Sequence, residues 1–389
     1  MRYKPKHLKE KKKRSKLRIL IGVLAGIVVL YLVTAFGEVP GLRYLRNIWI
    51  ETAMTTADHM WLAEWLFPSR VIEKVMSKQE TTEGVMTDPS LPLISFPPTT
   101  SKPEQTPNET KPKPTGSEET DAPPDEQPTE ETPEPLPQVG DIDEFGNVVI
   151  VSDEEQEIYI LQISGTGYLG RLIFVRDPSR VVVRHTSYKG SHGEFLLTYL
   201  KKHNAIAGIN GNGFADENGV GNGGVIHGWS IADGVSWGQR LAQSASAGFT
   251  ADNILMVGTI TDPNKYEIRD MVQWGPVLIA NGEQIIYGGN SAGWGVQPRT
   301  AIGQTGDGTV ILATVDGRQT HSLGITAGTL SDVLFQYGCI NASLCDGGSS
   351  SIMAYDEELI GLTSSPMKTT GRYLPNAILV LRKEDTVEP

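Results

Sequence analysis

The clearest chemical signal in the chain is the stretch 346–351, in which Asp346 is followed by two glycines and three serines. The short apolar run 340–345 precedes it and predicts a buried strand, so the carboxylate stands where that strand ends. Gly347 and Gly348 allow a sharp turn and a close approach of the backbone to a ligand. Such a cluster suits a small polar or anionic ligand, although Asp-Gly-Gly alone is also common in ordinary turns.

Two further polar clusters lie upstream. Asp316, Gly317 and Arg318 follow an apolar run that also predicts a strand, and Arg299 and Thr300 open another. Each has an ordinary structural explanation: Asp-Gly is frequent in hairpin turns, and a surface arginine often forms an ion pair worth about 0–1 kcal/mol. Three polar clusters at strand ends between residues 298 and 351 nevertheless favour one shared site.

The sequence excludes several familiar kinds of active site. It has no G-x-S-x-G elbow, no P-loop and no H-E-x-x-H motif. The five histidines in the C-terminal part of the chain are not spaced like zinc ligands. Carboxylates that recur with arginines at strand ends fit glycosyl or phosphate-ester chemistry better than acyl transfer.

The two cysteines, Cys339 and Cys345, flank the strand that leads to Asp346. If this stretch is extended at about 3.3 Å per residue, their Cα atoms are roughly 20 Å apart, whereas a disulfide needs about 7 Å or less. We therefore expect no bridge between them. Cys345 is interpreted as a small buried hydrophobic residue rather than a nucleophile.

The first 36 residues predict a membrane anchor. Residues 1–16 are rich in Lys and Arg and should stay in the cytoplasm, and residues 17–36 form an apolar stretch long enough to cross a bilayer. A cleaved signal peptide is the alternative, but it would have a shorter apolar core and a small-residue cleavage site. We therefore expect a single-pass protein of the cell membrane, with everything after residue 40 outside the cytoplasm.

The next part of the chain divides by composition. Residues 37–77 carry apolar residues at helical spacing and several tryptophans, which predicts a helical juxtamembrane segment that either lies at the membrane surface or packs on the folded domain. Residues 78–144 are rich in Pro, Thr and Glu and predict a disordered linker, because they cannot bury enough apolar surface to fold. The net charge of −12, with positive charge concentrated near the anchor, argues against nucleic acid as a partner.

Residues 145–383 are long enough for one large domain, and a short tail follows at 384–389. Many strand-like runs and few helical ones predict an α+β fold with mixed or antiparallel sheets flanked by a few helices. A capping box at Ser191 and Glu194 predicts the start of one helix. Thr326 or Thr329 predicts the start of a second helix, which Gly338 would end.

Six motifs in this domain, taken in order, resemble those of the phosphodiester glycosidase family. They are I-N-G-N-G-F at 209–214, G-N-G-G at 221–224, W-G-P-V-L-I at 274–279, P-R-T-A-I-G at 298–303, V-D-G-R-Q at 315–319 and D-G-G-S-S at 346–350. Each motif alone is weak, whereas the ordered set is specific and covers about residues 155–382. Bacterial members of the family are often described as exopolysaccharide-related proteins. This chain departs from the family pattern at two positions: Cys345 stands where the family usually has a plain apolar residue, and Gly361 stands where many relatives have an asparagine, so one of the family's expected substrate contacts is not available here.

The resemblance implies hydrolysis of a sugar that is joined through its anomeric oxygen to a phosphodiester, as in GlcNAc-1-phosphate linkages, with no required cofactor. Asp316 and Asp346 are then the candidates for nucleophile, base or electrostatic stabiliser of an oxocarbenium-like transition state. Arg299 and Arg318 are the candidates for binding the phosphate oxygens. Asn210 would orient the substrate through its amide.

Other residues would complete the binding site for this sugar phosphate. The candidate substrate-binding residues are Thr300, Gly347, Gly348, Ser349, Ser350 and His227. Asp216, Asp316 and Asp346 are candidate Ca²⁺ ligands, because carboxylates suit that cation, although no EF-hand-like pattern supports a metal. Two other functions stay open: P–O cleavage or sugar-phosphate transfer during assembly of an envelope polymer, and non-catalytic glycan binding through the tryptophans of the domain.

Overall fold

The computed structural model describes residues 6–56, 59–79, 84–90, 135–216, 221–365 and 369–383, with side chains from residue 18 onward. These ranges contain six α-helices together with antiparallel sheets, so the predicted α+β class is confirmed. The predicted linker between residues 91 and 134 and the tail 384–389 lie outside the described residues. The helices are α1 (Lys6–Phe36), α2 (Pro40–Met54), α3 (Met60–Leu66), α4 (Ser69–Met76), α5 (Leu196–Lys202) and α6 (Ala327–Gln336).

The strands, numbered in chain order, form three sheets in which all the described pairs are antiparallel. The eight-stranded sheet runs in the spatial order β1 (Val148–Asp153), β2 (Ile158–Gly165), β3 (Tyr168–Val175), β14 (Val310–Val315), β13 (Arg299–Thr305), β15 (Cys339–Leu344), β11 (Val277–Ala280) and β12 (Glu283–Gln284). The second sheet consists of β7 (Val235–Gly238), β6 (Trp229–Ala232), β10 (Ile268–Trp274), β8 (Ala245–Thr250) and β9 (Leu255–Gly258). The third sheet consists of β17 (Glu358–Ile360), β16 (Met353–Tyr355), β5 (Ala205–Asn210), β18 (Asn376–Leu381) and β4 (Val181–His185).

The three sheets share one hydrophobic core. Ile173 of the eight-stranded sheet, Phe249 of the second sheet and Ile378 of the third are all buried in the same cluster of apolar side chains. Helix α6 covers the other face of the eight-stranded sheet, and α5 covers the other face of the third. Burying an apolar side chain of this size stabilises a fold by about 1.5–3 kcal/mol, so this shared core holds the sheets in place relative to one another.

The helix starts agree with the sequence in one case and differ in the other. Helix α6 begins as predicted, because the Thr326 hydroxyl accepts a hydrogen bond from the amide of Thr329 at 3.1 Å. Helix α5 begins only at Leu196, so the predicted capping box is wrong. The Glu194 carboxylate does not cap the helix, because it accepts hydrogen bonds from the Ser187 amide and from Lys202.

One predicted strand is also shorter than expected. The apolar pattern over 225–231 predicts a strand, but β6 begins only at Trp229. Gly228 stands directly before it with a φ of +82°. This left-handed conformation interrupts an extended chain, so the strand cannot continue toward residue 225.

The juxtamembrane segment is helical, as predicted, and it packs on the folded domain rather than lying free of it. Helix α1 contains the 19-residue stretch Arg18–Phe36, whose mean hydropathy of 2.7 and length suit a membrane span. Arg46 of α2 donates to the carbonyl of Ala35 at 3.0 Å and so caps the end of α1. At the other end of α2, Ser291 donates to the Glu51 carboxylate at 2.5 Å.

The ends of the predicted linker 78–144 differ from the expectation. Met86 forms an isolated bridge with Gly258, and the Thr87 hydroxyl accepts from the amide of Val257 at 2.9 Å. Near the other end, Leu136 is buried and Ile142 forms a bridge with the start of β1. Residues 84–90 and 135–144 therefore belong to the folded part of the chain.

Candidate active site

The register of three neighbouring strands brings the predicted polar clusters to one edge of the eight-stranded sheet. β13 begins at Arg299, which pairs with Val315 at the end of β14. On its other side β13 pairs with β15, and the amide of Cys345 donates to the carbonyl of Thr300 at 2.9 Å. Because the strands are antiparallel, the start of β13 lies between the ends of its two neighbours, which carry the two predicted aspartates.

The turn that follows β15 is held from both sides by backbone hydrogen bonds. The amide of Asp346 donates to Gly211 at 2.9 Å, and the amide of Gly348 donates to Pro298 at 2.9 Å. Gly348 has a φ of +62°, a left-handed conformation that favours glycine. The Gly348 amide is therefore used within the protein, whereas the sequence predicted that it would bind an anion.

The Asp346 carboxyl has an unusual acidity for an aspartate. Burial raises the pKa of Asp346 to about 6, although a hydrogen bond from Ser350 and the charge of Arg372 act in the opposite direction. A carboxyl with a pKa in this range both accepts and releases a proton near neutral pH, which suits a general base or acid. The turn therefore places a group capable of proton transfer at the sheet edge.

Arg318 lies against this turn. A side chain at Gly348 would place its Cβ 3.3 Å from Arg318 Nη2, so the guanidinium lies directly beside Gly348. Arg318 itself is exposed and has a φ of +57°. Its Nε and Nη2 donate to the side-chain oxygen of Gln297 at 3.1 and 2.5 Å. The arginine fork is thus held at the turn that carries Asp346.

A second arginine at the turn, Arg372, was not predicted from the sequence. Its two terminal nitrogens donate to both oxygens of Asp216 at 2.5 and 2.7 Å, and Nη1 also donates to the Ser349 hydroxyl at 3.2 Å. These hydrogen bonds lower the pKa of Asp216. Arg372 lies on an irregular segment before β18, where no local motif marks its position. The guanidinium of Arg372 therefore connects Asp216 to Ser349 in the turn that follows Asp346.

Asp316 forms a separate polar cluster with two residues that were not predicted from the sequence. Its Oδ2 lies 2.6 Å from Arg171 Nη1 and 3.0 Å from His321 Nε2, and its Oδ1 accepts from the amide of Leu362 at 3.2 Å. Arg171 and His321 come from β3 and from the loop after β14, so neither position stands out in the local sequence. Both carboxylate oxygens are occupied by groups of the protein.

The departure from the family pattern at Gly361 has a structural reason. Gly361 has a φ of +89°, and a Cβ there would lie 2.5 Å from Arg171 Nη1 and 2.9 Å from Asp316 Oδ1. The missing side chain therefore leaves room for the Arg171–Asp316 ion pair. A cavity of about 10 Å³, the room of about one water molecule, is lined by Asp316, Ser351, Gly361 and Thr363.

Other predicted site residues are buried and contact only groups of the protein. Arg299 donates to the carbonyls of Ile325 and Gly295 at 3.0 and 2.8 Å, and burial lowers the pKa of Arg299 to about 10. Asn210 is fully buried, accepts from Thr300 at 2.8 Å and donates to the carbonyl of Asp346 at 2.7 Å. Their contacts with substrate stay predictions. In this structure the side chains of Arg299 and Asn210 hold the backbone of the site in place.

His227 is exposed, and its carbonyl accepts from Asn212 at 3.0 Å. Among the described residues no group of three His, Cys, Asp or Glu side chains is arranged to hold a metal ion. Two of the three candidate Ca²⁺ ligands, Asp216 and Asp316, pair instead with arginines. A site in which the acidic oxygens already face arginines does not fit a cation, so these residues do not support a metal-dependent reaction.

The two thiols do not take part in this site. Cys339 and Cys345 are both free and buried. Burial raises the pKa of both thiols well above the usual range, and a protonated thiol is a poor nucleophile. Cys345 packs in the shared core of the three sheets, as expected for a small hydrophobic residue.

Comparison with known proteins finds a family match within the C-terminal domain. Residues 203–381 match the model of the phosphodiester glycosidase family. The family resemblance found in the sequence is thereby confirmed for this part of the chain. A curated relative, the SPbeta prophage-derived protein YomE of Bacillus subtilis (strain 168), is 29% identical over 210 residues, which make up 48% of this chain and 30% of that protein. The chain therefore spans less than a third of the length of the curated relative that it matches.

Two solved structures share parts of the architecture. The catalytic domain of zebrafish N-acetylglucosamine-1-phosphodiester alpha-N-acetylglucosaminidase, auto-inhibited by its pro-peptide, is 21% identical with a TM-score of 0.48, and the match covers 58% of this chain and 82% of that one. A protein from Synechocystis is 18% identical with a TM-score of 0.43, over 61% of this chain and 64% of the other.

Proposed function

We propose that this protein is a membrane-anchored phosphodiester glycosidase whose domain lies outside the cytoplasm. Its substrate would be a surface glycopolymer in which a sugar is linked through its anomeric oxygen to a phosphodiester, of the GlcNAc-1-phosphate kind. The observation that carries the proposal is the turn at Asp346. There the Asp346 carboxyl has a pKa of about 6, and Arg318 lies beside Gly348 of the same turn. Both residues belong to the part of the chain that matches the family.

The reaction suits an arginine at this place. Water adds to the anomeric carbon, the C–O bond breaks, and its electron pair leaves with the phosphate monoester. Because a phosphate monoester is already a weak base, the leaving oxygen needs little proton donation and benefits more from positive charge. The planar fork of Arg318 matches two phosphate oxygens, and its position at the turn would place that phosphate beside Asp346.

The two aspartates would have different roles. Asp346 changes its charge near neutral pH, so we assign it the removal of a proton from the attacking water. Asp316 is already paired with Arg171 and His321. We assign it the electrostatic stabilisation of the oxocarbenium-like carbon, since its oxygens are engaged and less suited to direct attack.

The membrane part of the proposal rests on α1. The stretch Arg18–Phe36 has the length and composition of a membrane span, and the segment before it is strongly basic. Positive charge on one flank favours the cytoplasmic side for that flank. The domain that follows α1 would then face a substrate outside the cytoplasm.

The test uses the full chain in detergent with a methyl phosphodiester of GlcNAc-1-phosphate, in water enriched in ¹⁸O. Glycosidase cleavage should release GlcNAc and a methyl phosphate without ¹⁸O, because water attacks carbon. Asp346→Asn should abolish turnover, and Arg318→Lys should retain more activity than Arg318→Ala because it keeps the charge but loses the fork. Asp252→Asn, at an exposed position, is the control for removal of one negative charge.

The products also separate the alternatives. Incorporation of ¹⁸O into the phosphate would show that water attacks phosphorus, and would replace the glycosidase with a P–O hydrolase. Binding of the diester without any product would favour a glycan-binding module. Wild-type turnover by a folded Asp346→Asn protein would remove Asp346 from the mechanism.

A further inference from the structure

The side chain of Gln297 connects Arg318 to the juxtamembrane helix α2. Gln297 is 5% exposed. Its carbonyl oxygen accepts both hydrogen bonds from Arg318, at 3.1 and 2.5 Å. Its amide nitrogen donates to the Thr55 hydroxyl at 2.7 Å and to the carbonyl of Thr52 at 3.1 Å. One buried amide therefore bridges the arginine of the proposed site and the end of a helix that is far away in sequence.

The threonines determine which way this amide faces. The Thr52 carbonyl can only accept a hydrogen bond, so it must meet the NH₂ group of Gln297 and not the oxygen. The Thr55 hydroxyl donates its own hydrogen to the carbonyl of Glu51 at 2.6 Å, which leaves a lone pair for the same NH₂ group. With the NH₂ group held on the α2 side, the oxygen of Gln297 must point toward Arg318.

The contact between α2 and this part of the domain is tight. The Thr52 hydroxyl accepts from the amide of Val296 at 3.0 Å. Gly295 has a φ of +64°, and a Cβ there would lie 2.5 Å from Thr52 N. No larger residue fits between the helix and the segment that leads to Arg299. The position of α2 therefore determines the position of the Gln297 amide.

We propose that Gln297, together with Thr52 and Thr55, positions the Arg318 guanidinium for binding the anionic substrate, so that the juxtamembrane helix is part of the active-site structure. The assignment of Arg318 to substrate rests on the proposed function, whereas the positioning itself does not. An exposed arginine samples many rotamers, and ordering it when substrate binds costs conformational entropy. A guanidinium that is held in place before binding avoids much of that cost.

The inference extends to the membrane anchor. Arg46 of the same helix caps α1 through the carbonyls of Ala35 and Gly37, at 3.0 and 3.3 Å. A continuous set of contacts thus runs from the end of the apolar helix through α2 and Gln297 to Arg318. A fragment that begins at the sequence-predicted domain boundary, residue 145, lacks this support and should bind the diester more weakly than the full chain.

Two readouts on the full chain in detergent test the proposal. The first is solvent exchange of the Arg318 Nε–H proton, followed by ¹⁵N NMR, which does not depend on activity. Gln297→Met removes the side-chain hydrogen bonds to Arg318 and to α2 at similar volume, and Thr55→Val removes the hydroxyl acceptor while keeping the shape. Both should speed this exchange severalfold, whereas Thr55→Ser, which keeps the hydroxyl, should restore protection.

The second readout is steady-state kinetics with the methyl diester of GlcNAc-1-phosphate. We expect kcat/KM to fall about tenfold for Gln297→Met, mostly through KM, because the ground-state diester already carries the charge that Arg318 binds. Ser291→Ala is the matched control, since it breaks the Glu51 contact of the same interface without touching Gln297. It should leave both readouts near wild type.

The outcomes separate this proposal from the proposed function. Unchanged Arg318 exchange in Gln297→Met and in Thr55→Val overturns the positioning role, whatever the activity. Equal effects of Ser291→Ala and Thr55→Val on exchange also overturn it, because they indicate general loosening of α2. If the wild type hydrolyses no diester but the exchange results are as expected, the positioning stands and the proposed function fails.

Discussion

Removal of the Asp346 charge should stabilise the folded protein at neutral pH and at the same time abolish its turnover. The Asp346 carboxyl is partly buried where the strand β15 ends, and desolvation raises its pKa from 3.8 to about 6. Above pH 6 the group is charged in both the folded and the unfolded chain, and the folded state carries the unfavourable burial of that charge. Below pH 3.8 it is neutral in both states, so the cost disappears.

The size and sign of this effect follow from the two pKa values. Each pKa unit corresponds to about 1.4 kcal/mol, so a rise from 3.8 to about 6 costs about 3 kcal/mol once both states are ionised. The unfolded chain binds fewer protons than the folded one between these pKa values, so this contribution to stability falls as the pH rises from about 4 to about 6. Asp346→Asn removes the ionisation, so its free energy of unfolding minus that of wild type should be about 2 kcal/mol larger at pH 7.5 than at pH 4, which means a relatively more stable variant at the higher pH.

Urea unfolding of the full chain in detergent, followed by tryptophan fluorescence, measures this difference. Comparing the two pH values cancels the hydrogen bonds that asparagine makes differently, because they are present at both. Asp252→Asn, at an exposed loop position, controls for the loss of one negative charge. A difference between variant and wild type that is the same at pH 4 and pH 7.5 would refute the raised acidity of Asp346, and with it the reason for choosing this residue as the base.

Three further results are expected. Gly361→Ala should lower kcat/KM at least about tenfold and the free energy of unfolding by about 1–3 kcal/mol, because the new Cβ meets the Arg171–Asp316 pair. Gly190→Ala, with a φ of +81° and nothing within 4 Å, should show only the smaller backbone cost, and equal losses in both variants would contradict the argument. Because Arg372 lowers the pKa of Asp216, that carboxylate stabilises the fold above about pH 4, and this contribution is lost as the pH falls. Asp216→Asn should therefore be less stable than wild type in urea at pH 7, and the stability difference should shrink toward pH 3. A stability difference that does not change with pH would argue against the Asp216–Arg372 pair. Protease added to intact cells should cut within residues 91–134 but leave the domain on the membrane, since residues 84–90 and α2 contact the domain. Cleavage that requires lysis would contradict the outward topology. Release of the domain without denaturant would contradict the packing of these segments on the domain.

Much of the fold and of the site was predictable because the relevant signals are local. The apolar runs before Asp316 and Asp346 predicted strands, and both residues lie where a strand ends. Thr326 and Gly338 marked the ends of α6, since capping depends on a few neighbouring residues. Antiparallel pairing then placed the ends of β14 and β15 on either side of the start of β13.

The roles of the arginines could not be predicted in the same way. Arg299 and Arg318 looked equivalent in sequence. In the structure Arg299 is buried and donates to backbone carbonyls, whereas Arg318 is exposed and lies beside Gly348 in the turn that follows Asp346. Arg171 and Arg372 stand in no motif, yet each pairs with an aspartate from a distant part of the chain. Pairs of this kind depend on how separate loops meet in space, and no spacing within the sequence encodes that meeting.

Local sequence signals were enough to predict the apolar span at the N-terminus, the strand ends that carry Asp316 and Asp346, and the resemblance to the phosphodiester glycosidase family. Only contacts between distant parts of the chain show that α2 packs on the domain, that Gln297 joins α2 to Arg318, and that burial changes the acidity of Asp346. The two kinds of feature differ in the distance along the chain over which their causes act. Periodicity, capping and turn propensity act over a few residues, whereas burial and ion pairing depend on every surface that the folded chain brings to the same place.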